Sequence, residues 1–411
     1  MKLRLDFLSK NSAPNLEVFQ LTTERDVPGS HIYMEAQIFT PDSRRFILHR
    51  SAHPHGSDPE DPKHQFLICD LENRGELIPI TSETGATAPS VSTDGNILYY
   101  FVDETEVGGG RLSLKKVRLD GEERETLAVI DGEIDSTPWR PSNPYPLSTI
   151  SSDGERLAIS CFLGDGKTEN AEWGLLVFNL LSGDYQLIIH GQSWCNLHPQ
   201  YSRSLNPEER KDIMIQENHG NACDVNGQIT NLVGGNGADI HLIRDDGSAF
   251  RNFPWGRDGN EYCQGHQCWL GRSRWAITST DTKHPRSCRL IAGTAAAHIG
   301  HIGLQTASAR RNDLTREIPN PDFYHFATDI AGRRLITDSG SFDDGGGIYL
   351  ADLPEDENGT LKNFTFLINP GSSWKKNTHI HPFLSPDGKM GFFNSDESGI
   401  LQAYMIRGWQ E

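Results

Sequence analysis

One short pattern recurs seven times along the chain, and no other feature restricts the fold as strongly. It is a Ser or Thr, an Asp and often a Gly, followed by an apolar run and, after a polar loop, a second apolar run. Thr40-Pro41-Asp42 leads into RRFILHRS, Ser92-Thr93-Asp94-Gly95 into NILYYFVDE, and Ser151-Ser152-Asp153-Gly154 into ERLAISCF. Degenerate copies at Tyr201-Ser202 with Asn206-Pro207 and at Leu270-Gly271 lead into KDIMIQENH and RSRWAITST. Asp329-Ile330-Ala331-Gly332 leads into RRLITDS, and Ser385-Pro386-Asp387-Gly388 into KMGFFNSDESG. The Asp anchors at 42, 94 and 153 lie 52 and 59 residues apart, and those at 329 and 387 lie 58 apart. A unit of that length matches one four-stranded propeller blade. FLICDLEN, LKKVRLDGE, GLLVFNLLSGD, IHLIRDDGS and GIYLADLPEDENG read as the strands that end in a polar turn in the second half of a unit. Seven evenly spread units predict an all-β, seven-bladed β-propeller, with residues 1–411 as a single domain. Two tandem β-sandwiches are the competing arrangement.

The composition agrees with many short, half-buried strands. Hydrophobic residues make up 36% of the chain, and 40 glycines and 22 prolines supply frequent turns. Residues 1–33 precede the first anchor and contain the strand-like Leu16-Glu17-Val18-Phe19-Gln20-Leu21. A ring of blades must hide its sheet edges. This segment is therefore expected to be the closing strand of the last blade.

The formal net charge is −18. That balance argues against nucleic acid as a partner, because nonspecific nucleic-acid binding needs a basic surface. The start MKLRLDFLSKNSAPNLE carries no apolar run of signal-peptide length, and no later segment reaches membrane-spanning length. Seven scattered cysteines lack zinc-ribbon spacing and read as free thiols in a reducing compartment. The expectation is a soluble cytoplasmic protein with no membrane partner.

Histidines gather just ahead of the repeat anchors, where the innermost strand of a blade should begin. His198, His266, His325, and His379 with His381 occupy this place, and the first three blades show nothing comparable. Residues i and i+2 of a strand share one face. Two imidazoles from His379-x-His381, with a third from another blade at His325, can hold one divalent ion. Imidazoles suit manganese, iron, nickel, copper or zinc better than magnesium or calcium. A metal-free polar mouth, with each histidine bonding its own turn, is the plainer alternative.

At these residues the sequence resembles the oligogalacturonate lyase family, polysaccharide lyases built on a seven-bladed propeller. The likeness is clearest in Ile38–Asp42, His198–Gly220, Ile240–Gly247, Gly265–Trp269 and His379–Lys389. The resemblance implies a manganese ion held by three histidines and a glutamine, with the histidines falling on His325, His379 and His381. The glutamine falls on Lys376, and the adjacent Asn377 is the substitute ligand. It implies a base at His266, with His198 and His219 next in line. His198, Gln200 and His219 become substrate-binding positions. The family's carboxylate-binding arginine falls on Asp239, which leaves Arg244, Arg272 or Arg274 to take that role.

The activity implied is β-elimination on small uronate-containing oligosaccharides, as in pectin degradation. A uronate carries a proton α to its carboxylate. Removing it builds charge that a divalent cation stabilises, and a neutral imidazole can take the proton. Two further readings stay open. One is a non-catalytic propeller that binds a protein or carbohydrate partner, like that of the bacterial Tol–Pal system. The other is a propeller that caps a peptidase, although no G-x-S-x-G elbow is present.

Overall fold

The structure, a computed structural model, describes the chain apart from residues 51, 54, 55, 58–60, 62, 232–236, 257–260, 282–287, 298–307, 341–345, 376–378, 410 and 411. The described residues contain no α-helix and only three short 3-10 turns. Their strands form seven principal sheets, the blades of a β-propeller; six are meanders of strands in chain order, and the seventh joins strands from both ends of the chain.

Blade 1 is Gly29–His31, Arg45–Arg50, Gln65–Asp70 and Glu76–Pro79. Blade 2 is Ala86–Val91, Ile97–Glu106, Gly109–Arg118 and Glu125–Ile130. Blade 3 is Ser148–Ile150, Arg156–Phe162, Trp173–Asn179 and Tyr185–Gly191. Blade 4 is Gln200–Tyr201, Asp212–Asn218, Ala238–Arg244 and Arg251–Asn252. Blade 5 is Tyr262–Trp269, Ala276–Asp281, Arg289–Thr294 and Arg310–Asp313. Blade 6 is Phe323–Thr328, Arg334–Ser339, Gly347–Asp352 and Lys362–Ile368. Blade 7 is Phe383–Leu384, Met390–Ser395 and Gln402–Arg407, completed by Glu17–Gln20 and Lys2–Leu3 from the N-terminus.

The last blade is completed by the N-terminal strand, as the sequence predicts. Glu17 faces Arg407 and Gln20 faces Tyr404 in an antiparallel ladder, with Val18 fully buried. The N-terminal strand covers an edge that would otherwise present free N–H and C=O groups.

The recurrent turn explains why the repeat needs its residue types. In blade 2 the Ser92 hydroxyl donates to Asp94 and accepts the N–H groups of Asn96 and Ile97. Gly95 N–H donates to Ser92 O at 2.9 Å with φ of +75°, a backbone that favours glycine. Ser151 with Asp153 and Ser385 with Asp387 repeat the arrangement. Blade 6 departs from it. There Asp329 Oδ1 itself accepts Arg333 N–H at 2.7 Å and Arg334 N–H at 2.9 Å. Asp329 thus occupies the position of Ser385, not of Asp387, so the 58-residue spacing read from the sequence pairs two residues that are not equivalent.

The chain divides into two compact units, Met1–Ser82 with His266–Ala292 and Asn312–Glu411, and Glu83–Gly265 with Gly293–Arg311. In the first, an apolar layer lies between blades 5 and 6, with Ile277, Leu290, Phe323, Phe326 and Leu335 at its centre. In the second, Phe101, Leu114, Leu157, Ile159 and Phe178 fill the space between blades 2 and 3. This packing holds the first strand of blade 6 through Phe323 and Phe326, and those of blades 2 and 3 through Ala88 and Ile150.

Candidate metal centre

In blade 6, Phe323 pairs with Ser339 and Phe326 with Thr337, so Tyr324 and His325 together oppose Asp338 alone. This is a β-bulge, a device that re-aims a side chain and leaves a ladder N–H unpaired. The fully buried Asp338 takes up the slack: its Oδ1 accepts His325 N–H at 2.8 Å, and its Oδ2 lies 2.7 Å from His325 Nδ1. His325 is 3% exposed, and its Nε2 has no hydrogen-bond partner among the described residues.

The His325 ring stands beside those of His379 and His381. One ligand nitrogen from each of His325, His379 and His381 lies within 4.8 Å of the other two. The ring centroids of His325 and His381 are 4.3 Å apart, those of His325 and His379 5.3 Å, and those of His379 and His381 5.4 Å. The convergence does not come from a shared strand face, as the sequence suggested. His379 and His381 precede the strand Phe383–Leu384, and His381 has φ of +44°. A non-glycine residue in that region costs about 1–3 kcal/mol and persists only where its surroundings hold it. Here Asn394 N–H donates to Ile380 O at 2.9 Å, and Tyr33 packs edge-on against His381.

An orphaned buried imidazole nitrogen, oriented by a carboxylate and joined by two further imidazoles, fits a first-row divalent cation. The fourth ligand expected from the sequence, Asn377, lies outside the described residues, as does Lys376.

His266 stands beside this group, its ring centroid 4.4 Å from that of His325. It does not begin its strand, as the sequence suggested, but lies well inside Tyr262–Trp269 and is half-buried. Arg272 and Arg274 are not brought to the histidines. Both belong to the tight turn after that strand, where Leu270 N–H donates to Trp275 O, and Arg272 is exposed.

The remaining expected residues belong to the second unit. His198, at φ of +48°, has its Nε2 2.8 Å from Tyr145 OH. Gln200 opens the first strand of blade 4, buried and paired with Met214. His219 Nε2 lies 2.9 Å from Asp239 Oδ2 and 3.7 Å from Glu217 Oε2. Glu217 also receives the Ser193 hydroxyl at 2.7 Å and meets His241 Nε2 at 3.1 Å. The His241 contact, foremost, holds the Glu217 carboxyl down at about 2. Arg244 closes the strand Ala238–Arg244 opposite Asp212 and donates to Glu208 at 3.1 Å. Asp239, opposite Glu217, sits near the other end of that strand, so Arg244 does not stand in for an arginine at position 239.

Sequence reasoning missed two residues of the centre, Asp338 and Tyr33. An acid inside the apolar run RLITDS was the available signal for Asp338. Blade 1 also holds a buried histidine in its first strand, His31, contrary to the expectation that the first three blades had none. It serves the core, stacked against Phe46 with its Nε2–H given to Tyr404 O at 2.9 Å.

The sheets and the histidine group together define a seven-bladed β-propeller with a three-imidazole centre. The fold is similar to that of an oligogalacturonate lyase in complex with manganese, with a TM-score of 0.69 and 18% identity, over 100% of this chain and 97% of the other. An oligogalacturonate lyase from Vibrio parahaemolyticus gives a TM-score of 0.68 and 17% identity, over 99% of this chain and 97% of the other. A prolyl endopeptidase gives a TM-score of 0.51 at 11% identity, over 94% of this chain and 51% of the other. No family model and no curated protein sequence matches the chain. No helix among the described residues is long and apolar enough to cross a membrane.

Proposed function

We propose that this protein is a metal-dependent lyase that cleaves small uronate-containing oligosaccharides, of the oligogalacturonate kind, by β-elimination. The observation that carries the reading is the His325, His379 and His381 cluster with His266 against it, set in a fold shared along its whole length with oligogalacturonate lyases. His325, His379 and His381 would hold the cation, manganese being the ion of the similar structure. When bound there, a divalent cation supplies a Lewis acid for the charge that develops on the substrate carboxylate. Half-buried His266 is open enough to meet a sugar and serves as the base. Its imidazole takes the proton α to the carboxylate, the C–H electron pair becomes the new C4=C5 double bond, and the glycosidic oxygen leaves C4 with its pair. No water is consumed.

His198, Gln200 and His219 remain proposed substrate contacts; Arg244 is engaged by Glu208 at the end of its strand and Arg272 lies exposed in the turn after Tyr262–Trp269, so neither is proposed as the carboxylate-binding arginine. Residues 1–411 are read as one propeller domain. All seven cysteines are buried thiols, which supports a reducing, cytoplasmic setting.

The test combines elemental analysis of the purified protein with ultraviolet detection of unsaturated uronate on a panel of acidic oligosaccharides. Stoichiometric metal with product formation on di- and trigalacturonate is the expected result. Metal without elimination on any uronate would replace the lyase with a non-catalytic carbohydrate- or protein-binding propeller.

A further inference from the structure

The cluster needs His325 in one tautomer. A ring nitrogen can bind a cation only through its lone pair, so Nε2 must be bare and Nδ1 must carry the hydrogen. Nothing in the imidazole itself enforces this. Around His325 one group does: Asp338, fully buried, with Oδ2 2.7 Å from Nδ1 and Oδ1 2.8 Å from the main-chain N–H of the same residue. A carboxylate accepts and does not donate, so both contacts require hydrogens on His325. The bulge at Tyr324 and His325 is what makes room for this double grip, since it turns the His325 N–H away from the regular ladder and toward the side chain opposite.

We propose that Asp338 is the positioning residue of the centre: it clamps the bulge and fixes His325 as the Nδ1–H tautomer, leaving Nε2 as a ligand. The proposal rests on the reading of the cluster as a cation site, but its core concerns the protein before any cation arrives. Asp338 touches neither cation nor substrate and acts only through His325.

The experiment uses Asp338→Asn in the full chain. The amide oxygen still accepts the His325 main-chain N–H, so the clamp on the bulge survives. The amide nitrogen, however, presents a hydrogen to Nδ1, which then has to accept, and the ring proton moves to Nε2. In metal-free wild-type protein, nitrogen-15 NMR of the histidine rings should show His325 as Nδ1–H. In the variant it should show Nε2–H. Mn²⁺ affinity should fall about 10–100-fold, the range typical of lost second partners to metal-bound histidines. The metal-free melting temperature should change little. A wild-type His325 found as Nε2–H, or an Asp338→Asn variant with wild-type Mn²⁺ affinity, overturns the proposal. If the variant fails to fold, the wild-type tautomer alone decides it. If wild-type protein binds no Mn²⁺ while His325 is Nδ1–H, the cation reading fails and the orienting role of Asp338 stands.

Discussion

Tyr33 meets His381 edge-on, with ring centroids 4.7 Å apart and planes at 69°. Tyr33 is 1% exposed and follows the first strand of blade 1, so an aromatic from blade 1 backs a histidine held at positive φ ahead of blade 7. Replacing Tyr33 by Ala should cost about 3 kcal/mol, as for other buried aromatic truncations. It should also loosen His381 and weaken Mn²⁺ binding. Calorimetric melting and metal titration on the same preparation check both effects. A destabilised variant with unchanged affinity would show that Tyr33 supports the fold and not the ligand.

The closing strand yields a second prediction. Val18 is fully buried and Phe19 is 8% exposed, and their strand pairs with Gln402–Arg407 along its length. A Val18→Asp variant buries an unpaired charge and should lower stability by several kcal/mol, on the order of 3 or more. Deleting residues 1–21 uncovers the edge of Gln402–Arg407, and such edges pair with other chains. Size-exclusion chromatography should show aggregates for the deletion. A monomeric truncated protein with the wild-type melting temperature would contradict the closure argument.

His31 makes stability depend on pH. It is fully buried among Phe46, Phe383 and Phe392, with Asn394 and the Tyr404 carbonyl as its polar neighbours. Burial pushes its pKa down from 6.5 to about 3. The neutral ring is therefore favoured by folding, and below pH 6.5 the unfolded chain takes up a proton that the native chain does not. The stabilisation is complete above about pH 6.5 and is lost progressively as pH falls toward 3. By pH 5 the loss from this group is about 2 kcal/mol, at 1.36 kcal/mol for each unit. Urea unfolding at pH 7 and pH 5 should show a smaller difference for His31→Gln than for wild type. Equal differences would rule out His31 as the source.

The fold was legible because its turn motif is local: a Ser hydroxyl, an Asp and a glycine satisfy one another within five residues, as at Ser92, Asp94 and Gly95. Where chemistry replaced one member, as Asp329 does for serine, the register slipped by two positions. The histidine triad was found through its proximity to those turns, although the strand-face argument offered for His379 and His381 does not hold. Tyr33 was hidden because its partner lies far along the chain. Asp338 was hidden because a bulge follows from packing between strands and leaves no periodic signature. The arginine expectation rested on motif neighbours, and a motif match gives a residue's neighbours in sequence but not the end of the strand it reaches, as Asp239 and Arg244 toward opposite ends of Ala238–Arg244 show.

His266 carries the last prediction. Its ring sits 4.4 Å from that of His325, inside the strand Tyr262–Trp269, and its main-chain carbonyl accepts the Thr278 hydroxyl at 3.1 Å. The strand position is thus fixed by backbone contacts that a side-chain truncation leaves in place. Preceding it, Gly265 has φ of +83°, and a Cβ there would collide with the Gln216 amide, so the approach of this strand is also set by the backbone. His266→Ala should therefore fold, keep His325, His379 and His381 in place, and bind Mn²⁺ as wild type does. Elimination should fall by about 10²-fold or more, because general bases contribute 10²–10⁴. His381→Ala is the counterpart: it should lose bound metal and elimination together. The pair separates the two roles, since one variant loses chemistry with the ion retained and the other loses the ion. Turnover of His266→Ala near the wild-type rate would remove it as the base and direct the same measurement to His198.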